Sequence, residues 1–357
     1  MGKKQLPVRH ARESGHPGSR SVREQGLDSR LHGNDKPQKN LNSKLEVHAA
    51  ARHLLDTVSL KKEWVIRLFE EAKRLKKEGI EGGKLFDDLK GQHAGLLFFE
   101  PSTRTKASFH IAATRLGADP VTVEVAFSSV QKGESLEDTV MTLEAMGCHF
   151  LVIRHGEALA AEKAARVVKK AHVINAGDGA HEHPTQALLD VFTVAERKAL
   201  NSNLTFLFLG DIGYSRVTRS NVQLLRTLGV KNILVAGPPS LVPPEEELKN
   251  WGVTYVTDLN KALAQADIVH VLRVQLERHG QPLPLTPGSY REAYGLTQER
   301  LKKYCKKDVL VFHPGPMNVG VEIDREVADG PNSCVLEQVA NGVAIRMAIL
   351  KTLHASC

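Results

Sequence analysis

Four arginines stand where apolar runs end: Arg104, Arg154, Arg216 and Arg273. Arg104 lies in Glu100-Pro101-Ser102-Thr103-Arg104-Thr105, directly after GLLFF at 95–99. Hydroxyls, a guanidinium and the unpaired amides of a starting helix fall together there. A helix N-terminus carries partial positive charge, and a guanidinium fork matches phosphate or carboxylate oxygens. The segment suits a phosphate without the glycines of a P-loop. Taken alone, it equally suits a Ser/Thr helix cap beside a surface arginine. Lys132, in the polar loop from Ser128 to Ser135, offers a point charge to a phosphate or is an exposed loop lysine. Arg154-His155-Gly156 closes the run FLVI and reads as an anion or carbonyl contact, or as solvated polar residues.

The loop from Asn175 to Gln186 carries His181 and His183, the latter followed by Pro184, a residue suited to a first helical turn. No partner has convincing metal-ligand spacing, so a carbonyl-polarising histidine is the better reading. Gly210-Asp211-Ile212-Gly213-Tyr214-Ser215-Arg216 mimics a dinucleotide loop but lacks GxGxxG. Arg216 would open a helix, where a cation opposes the dipole; that placement implies an anionic partner. Arg273 and Gln275 point the same way if the chain stays extended. His313-Pro314-Gly315-Pro316 is stiffened by two prolines, so its carbonyls can be held in place. Four such arginines, with no metal set, nucleophile elbow or cofactor fingerprint, suit two small anionic substrates reacting directly.

These loops need a frame. Apolar runs at 95–99, 121–125, 150–153 and 173–174 read as strands, and a second series follows at 205–209, 233–236, 254–256, 268–272 and 309–312. Helical spacing occupies 59–77, 103–116, 136–146, 157–169, 185–197, 217–228 and 333–353, with short helices elsewhere. Continuous apolar strands between amphipathic helices predict an α/β chain: two doubly wound parallel-sheet domains joined by long helices. The expected domains are 45–190 and 191–332, with the helix at 333–357 packing back on the first. In such sheets ligands bind beyond the carboxyl ends of the strands, where the arginines lie.

The chain has 357 residues, about two domains' worth, and 41% hydrophobic residues, which excludes a wholly disordered or fibrous protein. No run of about 18 apolar residues occurs, so no membrane span is expected. Four scattered cysteines form no CxxC pair, which points to a reduced, cytoplasmic protein. The net charge of +7 belongs largely to residues 1–44, which hold 10 Lys+Arg against 4 Asp+Glu, leaving 38 against 37 elsewhere. Nucleic-acid binding by the fold thereby loses its electrostatic case. Residues 1–44 contain no aromatic residue and no apolar period, and are expected to be a disordered basic extension.

In order, FFEPSTRT, SSVQKGE, Arg154-His155, HPTQALLD, GDIGYSRVTRSN, RVQLER and HPGPMN closely resemble the aspartate/ornithine carbamoyltransferase family, and within it the aspartate enzymes. The likeness spans about 45–355. It implies transfer of the carbamoyl group of carbamoyl phosphate to the amine of L-aspartate, the committed step of pyrimidine synthesis, with no cofactor and no metal. It also implies a homotrimer with shared sites, and it leaves open further assembly with regulatory chains or dihydroorotase. By the resemblance, Ser102, Thr103, Arg104 and Thr105 match the phosphate-binding residues. Ser128 and Lys132 match residues that reach a neighbouring subunit's site, Lys132 serving aspartate as well. Thr105, Arg154 and His183 match the groups on the carbamoyl oxygen. Gln186 and the carbonyls of Gly315 and Pro316 match contacts to the carbamoyl amino group. Arg216, Arg273 and Gln275 match the aspartate carboxylate binders, and Glu100 and Arg278 match charged residues that link the domains on closure. The catalytic set implied is Arg104, Thr105, Lys132, Arg154 and His183.

Two departures stand out. Val319 occupies a position where related chains usually carry arginine, and Gly315 replaces the leucine of some relatives, where only a carbonyl is needed. The competing readings are a carbamoyltransferase for another amine such as ornithine, a silent scaffold holding a partner enzyme, and a nucleotide-binding oxidoreductase. A second cationic site at Arg273 and Gln275 argues against the first, and the intact STRT, Lys132 and His183 against the second.

Overall fold

The computed structural model describes residues 52–124, 133–274 and 285–355, so the expected extension at 1–44 lies outside the described residues. Strands β1 (His93–Phe98), β2 (Asp119–Val123), β3 (Cys148–His155) and β4 (His172–Asp178) form a parallel sheet in the order β2-β1-β3-β4. A second parallel sheet has the order β7-β6-β5-β8-β9. Its strands are β5 (Thr205–Leu209), β6 (Asn232–Ala236), β7 (Thr254–Tyr255), β8 (Ile268–Val271) and β9 (Leu310–Phe312). Both faces of each sheet are covered, and this is why the central strands are unbroken apolar runs. Leu96, Leu97 and Phe206 to Leu209 are all essentially sealed from solvent.

Helices α1 (Lys62–Leu75), α2 (Thr103–Arg115), α3 (Leu136–Ala145) and α4 (Ala160–Val167) belong to the first series. Between the sheets runs α5 (Pro184–Ala195). The second series adds α6 (Arg216–Thr227), α7 (Glu245–Trp251), α8 (Leu259–Gln265), α9 (Pro287–Tyr294), α10 (Gln298–Tyr304) and α11 (Arg325–Ala328). The last helix, α12 (Val335–His354), packs on α1, α2 and α5. In α5 every residue from Pro184 to Val194 is buried. A helix enclosed on all sides lies within a core rather than on a surface. One apolar core accordingly runs from Phe109 and Phe150 through Leu188, Phe192 and Ile345 to Phe206 and Leu224.

Strand β2 begins two residues before the expected run, at Asp119, and three larger differences from the expected elements stand out. Strand β4 continues to Asp178, well past the short apolar run expected at 173–174. Its polar end is buried because it is satisfied: Asn175 Nδ2 donates to the Leu55 carbonyl at 2.8 Å, and Asn175 Oδ1 accepts the Gly177 amide at 2.8 Å. Apolarity cannot signal a strand whose burial depends on side-chain hydrogen bonds. Helix α4 is shorter than 157–169, since Leu159 is left-handed (φ 63°) with its amide held by Asp178 Oδ2 at 2.7 Å. Helix α1 ends at Leu75 and passes into a π-turn over Lys76–Glu81.

Topology places the chemistry. The order of strand addition reverses between β1 and β3 in the first sheet and between β5 and β8 in the second, all strands staying parallel. Loops leaving adjacent strands diverge at such switch points and open a crevice. Arg104 and Arg154 follow β1 and end β3; Arg216 and Arg273 follow β5 and β8. Leu350, fully buried in α12, tests the packing of that helix on the first series. Leu350→Ala should cost about 2–5 kcal/mol in urea unfolding; a loss under about 0.5 kcal/mol would mean that α12 is not a core helix.

Candidate active site

A cleft of about 900 Å³ opens at the two switch points. Glu100, Ser102, Thr103, Arg104, Thr105, Arg154, His183, Gln186, Arg216, Arg273, Gly315 and Pro316 all line it. Twelve of the residues singled out in the sequence therefore share one cavity. Ser128, Lys132, Gln275 and Arg278 lie outside the described residues. Val319 is 37% exposed and is not among the described lining residues.

Ser102 caps α2 in extended conformation (φ −159°) with no side-chain capping bond. Ser135 and Ser215, by contrast, accept first-turn amides of α3 and α6. The first turn of α2 thus carries its dipole into the cleft beside Arg104. Burial first, and then the charge of Arg273, hold the Arg104 guanidinium below its usual range. The two cations are therefore close enough to repel, and anionic ligands would relieve that cost.

Glu100 is the single carboxylate among the described lining residues. Its Oε2 accepts from Arg216 Nη2 at 2.9 Å and lies 3.4 Å from Arg154 Nε. Arg216 Nη1 also donates to the Gly179 carbonyl at 2.8 Å, and Arg219 Nη1 to that of Ala180 at 2.6 Å. These contacts tie the start of α6 to the loop after β4, so the anionic partner anticipated for Arg216 is a carboxylate of the chain itself. Two glycines make room for the guanidinium groups. At Gly177 (φ 117°) a Cβ would stand 3.0 Å from Arg216 Cζ, and at Gly315 (φ 62°) it would stand 2.8 Å from Arg104 Cζ. Left-handed backbone and close approach both favour glycine at those positions.

His183 is buried at the start of α5, with its amide donating to Ser220 Oγ at 2.8 Å. Burial, and then the charges of Arg154, Arg216 and Arg346, push its imidazole well below its usual range. A neutral ring keeps one N–H, which can polarise a carbonyl without adding charge. His181 turns elsewhere: its half-exposed ring pairs with Asp178 at 3.1 Å, which raises its pKa.

Two features escaped the sequence reading. Arg346, on the mostly apolar α12, reaches the cleft base. Its Cζ sits 5.1 Å from the Phe109 ring centroid, and burial lowers its pKa to about 9 against the raising effect of Asp190. A basic residue inside an apolar helical stripe was the available signal. Glu182 is buried behind His183, accepting from Thr57 Oγ1 at 3.2 Å and from Ser220 Oγ. Burial raises its pKa to about 7 despite those bonds. No spacing rule marks it, because its donors come from distant segments.

The family model described as "Aspartate/ornithine carbamoyltransferase, carbamoyl-P binding domain" matches residues 52–196. The one described as "Aspartate/ornithine carbamoyltransferase, Asp/Orn binding domain" matches 202–353. A protein named aspartate carbamoyltransferase catalytic subunit from Carboxydothermus hydrogenoformans is 47% identical over 302 residues, covering 85% of this chain and 96% of that protein. Its namesake from Heliobacterium modesticaldum is 53% identical over 262 residues, covering 73% and 82%. Among solved structures, aspartate transcarbamoylase from Trypanosoma cruzi in complex with carbamoyl phosphate and aspartate aligns with a TM-score of 0.76 at 29% identity, covering 85% of this chain and 96% of that one.

Two outcomes follow from the burial of Glu182 and His183. A neutral Glu182 in the fold has a pKa above its unfolded value, so its stability contribution is complete below about pH 4.5 and lost as pH rises through about 7. Glu182→Gln, uncharged throughout, should therefore gain Tm relative to the wild type between pH 5 and pH 8; a pH-independent difference would contradict the raised pKa. His183 should show no ring titration between pH 6 and pH 8 by NMR, and a midpoint near 6.5 would contradict its burial.

Proposed function

The chain belongs to the aspartate/ornithine carbamoyltransferase family, and we propose that its cleft carries out the aspartate reaction of that family. It transfers the carbamoyl group of carbamoyl phosphate to the amine of L-aspartate, giving N-carbamoyl-L-aspartate and phosphate, a step of pyrimidine biosynthesis. The observation that carries this reading is the convergence of Arg104, Arg154, Arg216 and Arg273 on one cavity with a single lining carboxylate among the described residues. Carbamoyl phosphate and aspartate are small anions that repel each other in water. Holding both against fixed cations converts their encounter into an effectively unimolecular step.

In this reading the first turn of α2, with Ser102, Thr103, Arg104 and Thr105, binds the phosphate. Thr105, Arg154 and neutral His183 meet the carbamoyl oxygen, which becomes negative as the amine attacks. Gln186 and the carbonyls of Gly315 and Pro316 accept from the carbamoyl NH₂. Arg216 and Arg273 bind the aspartate carboxylates, so substrate competes with Glu100 for Arg216. The C–N bond forms as the C–O bond to phosphate breaks, and the departing phosphate takes the amine proton. No covalent enzyme intermediate is required.

The functional division assigned is 45–190 for carbamoyl phosphate and 191–332 for aspartate, with α12 returning to the first. Ser128 and Lys132 are assigned to a neighbouring subunit's cleft, and Gln275 and Arg278 to the aspartate side and to closure. A homotrimer follows from that sharing, with regulatory chains or dihydroorotase as further partners. No described helix is long and apolar enough to cross a membrane, which agrees with a cytoplasmic enzyme.

Product formation from carbamoyl phosphate should occur with L-aspartate and not with L-ornithine. Arg273→Ala should raise the KM for aspartate by at least about tenfold while leaving carbamoyl phosphate affinity within about twofold. Turnover with ornithine, or equal loss for both substrates, would overturn the assignment.

A further inference from the structure

Asp190, on α5, is fully buried and is not among the cleft-lining residues. Its carboxylate gathers donors from four elements. Oδ1 accepts Gln186 Nε2 at 2.8 Å and Gln338 Nε2 of α12 at 2.7 Å. Oδ2 accepts Asn221 Nδ2 of α6 at 3.0 Å and lies 3.0 Å from His270 Nε2 of β8. Both carboxylate oxygens accept here, so each amide turns its nitrogen inward. For Gln186, which lines the cleft, that leaves Oε1 as the atom available to a ligand. For Gln338 it leaves Oε1 to accept the His313 amide at 3.0 Å. His313 Nδ1 then accepts the Gly315 amide at 2.8 Å. One buried carboxylate thus sets the side-chain acceptor at 186 and, through two more hydrogen bonds, braces the loop carrying the carbonyls at 315 and 316.

We infer that Asp190 is the positioning residue through which the cleft demands an N–H-bearing acyl phosphate. This rests on the carbamoyltransferase reading of the cleft and deepens it. Carbamoyl phosphate and acetyl phosphate have the same shape and differ by NH₂ against CH₃. In that reading the acceptors at 186, 315 and 316 meet that corner, so NH₂ satisfies them and a methyl group leaves them unpaired. Unpaired buried acceptors are the strongest source of discrimination against an analogue lacking a donor. Selectivity would then depend on which way one amide faces, and Asp190 decides that.

Asp190→Asn keeps size but exchanges one acceptor for a donor. Gln186 can then rotate and present its NH₂ to the substrate NH₂. The test compares KM for carbamoyl phosphate with the inhibition constant of acetyl phosphate, in wild type, Asp190→Asn and Asn221→Ala. The last variant removes a donor from the far side of the same carboxylate and serves as the structural control. The expected result is a fall of roughly tenfold or more in the carbamoyl/acetyl preference for Asp190→Asn, with aspartate KM within about threefold. Asn221→Ala should lower Tm without moving the preference. A preference unchanged in Asp190→Asn, or shifted equally in Asn221→Ala, overturns the inference. If Asp190→Asn shows no folding transition, Gln338→Leu decides: a fall of at least about threefold supports the relay to the 313–316 loop, and no change overturns it. Wild-type turnover with aspartate combined with an unchanged preference refutes the inference alone, whereas no wild-type turnover refutes the reading beneath it as well.

Discussion

Five guanidinium groups, those of Arg104, Arg154, Arg216, Arg273 and Arg346, converge on one cleft, and like charges repel. The fold must oppose that repulsion before any substrate arrives. It does so by attaching the arginines to rigid elements and by placing Glu100 between Arg154 and Arg216. The concentrated positive charge is also usable: after burial itself, the charges of Arg154, Arg216 and Arg346 help keep the His183 ring neutral, and the cleft favours whatever anion enters.

Rigidity comes from the way the two sheets share an interior. Helix α5 is buried on every side and holds His183 at its N-cap, Gln186 in its first turn and Asp190 one turn later. The same helix therefore carries a cleft-lining histidine, a cleft-lining amide and the carboxylate that orients the amide. Helix α12 packs against it and supplies Gln338 and Arg346 from the other side. Substituting in this shared core changes the site as well as the stability, because the polar groups of the cleft are anchored to residues that are themselves packed.

Buried polarity is costly unless paired. Around the cleft key groups are paired: Asn175 with Leu55, Glu182 with Thr57 and Ser220, Asp190 with four donors. Such networks are strong when complete and weak when one member is changed. Here they also align dipoles, so satisfying the core and aiming the site are one arrangement.

Much of this was legible in the residues. Apolar runs of four or five residues separated by helical spacing implied parallel sheets, and arginines at the ends of four such runs implied an anion site. Both inferences rest on local order, which a sequence contains. Distances between segments are not contained in it. That Arg346, 73 positions beyond Arg273, stands at the base of the same cleft follows only from α12 returning across α2 and α5. That Asp190 reaches Gln338 across 148 positions depends on the same return, and that Arg216 rests on Glu100 depends on the loops of the two sheets meeting at the cleft. The sequence by itself determined which groups are present and which strand ends they follow. The tertiary structure decided which of them meet, because hydrogen bonds and charge repulsion act over ångströms of space and not over positions in a chain.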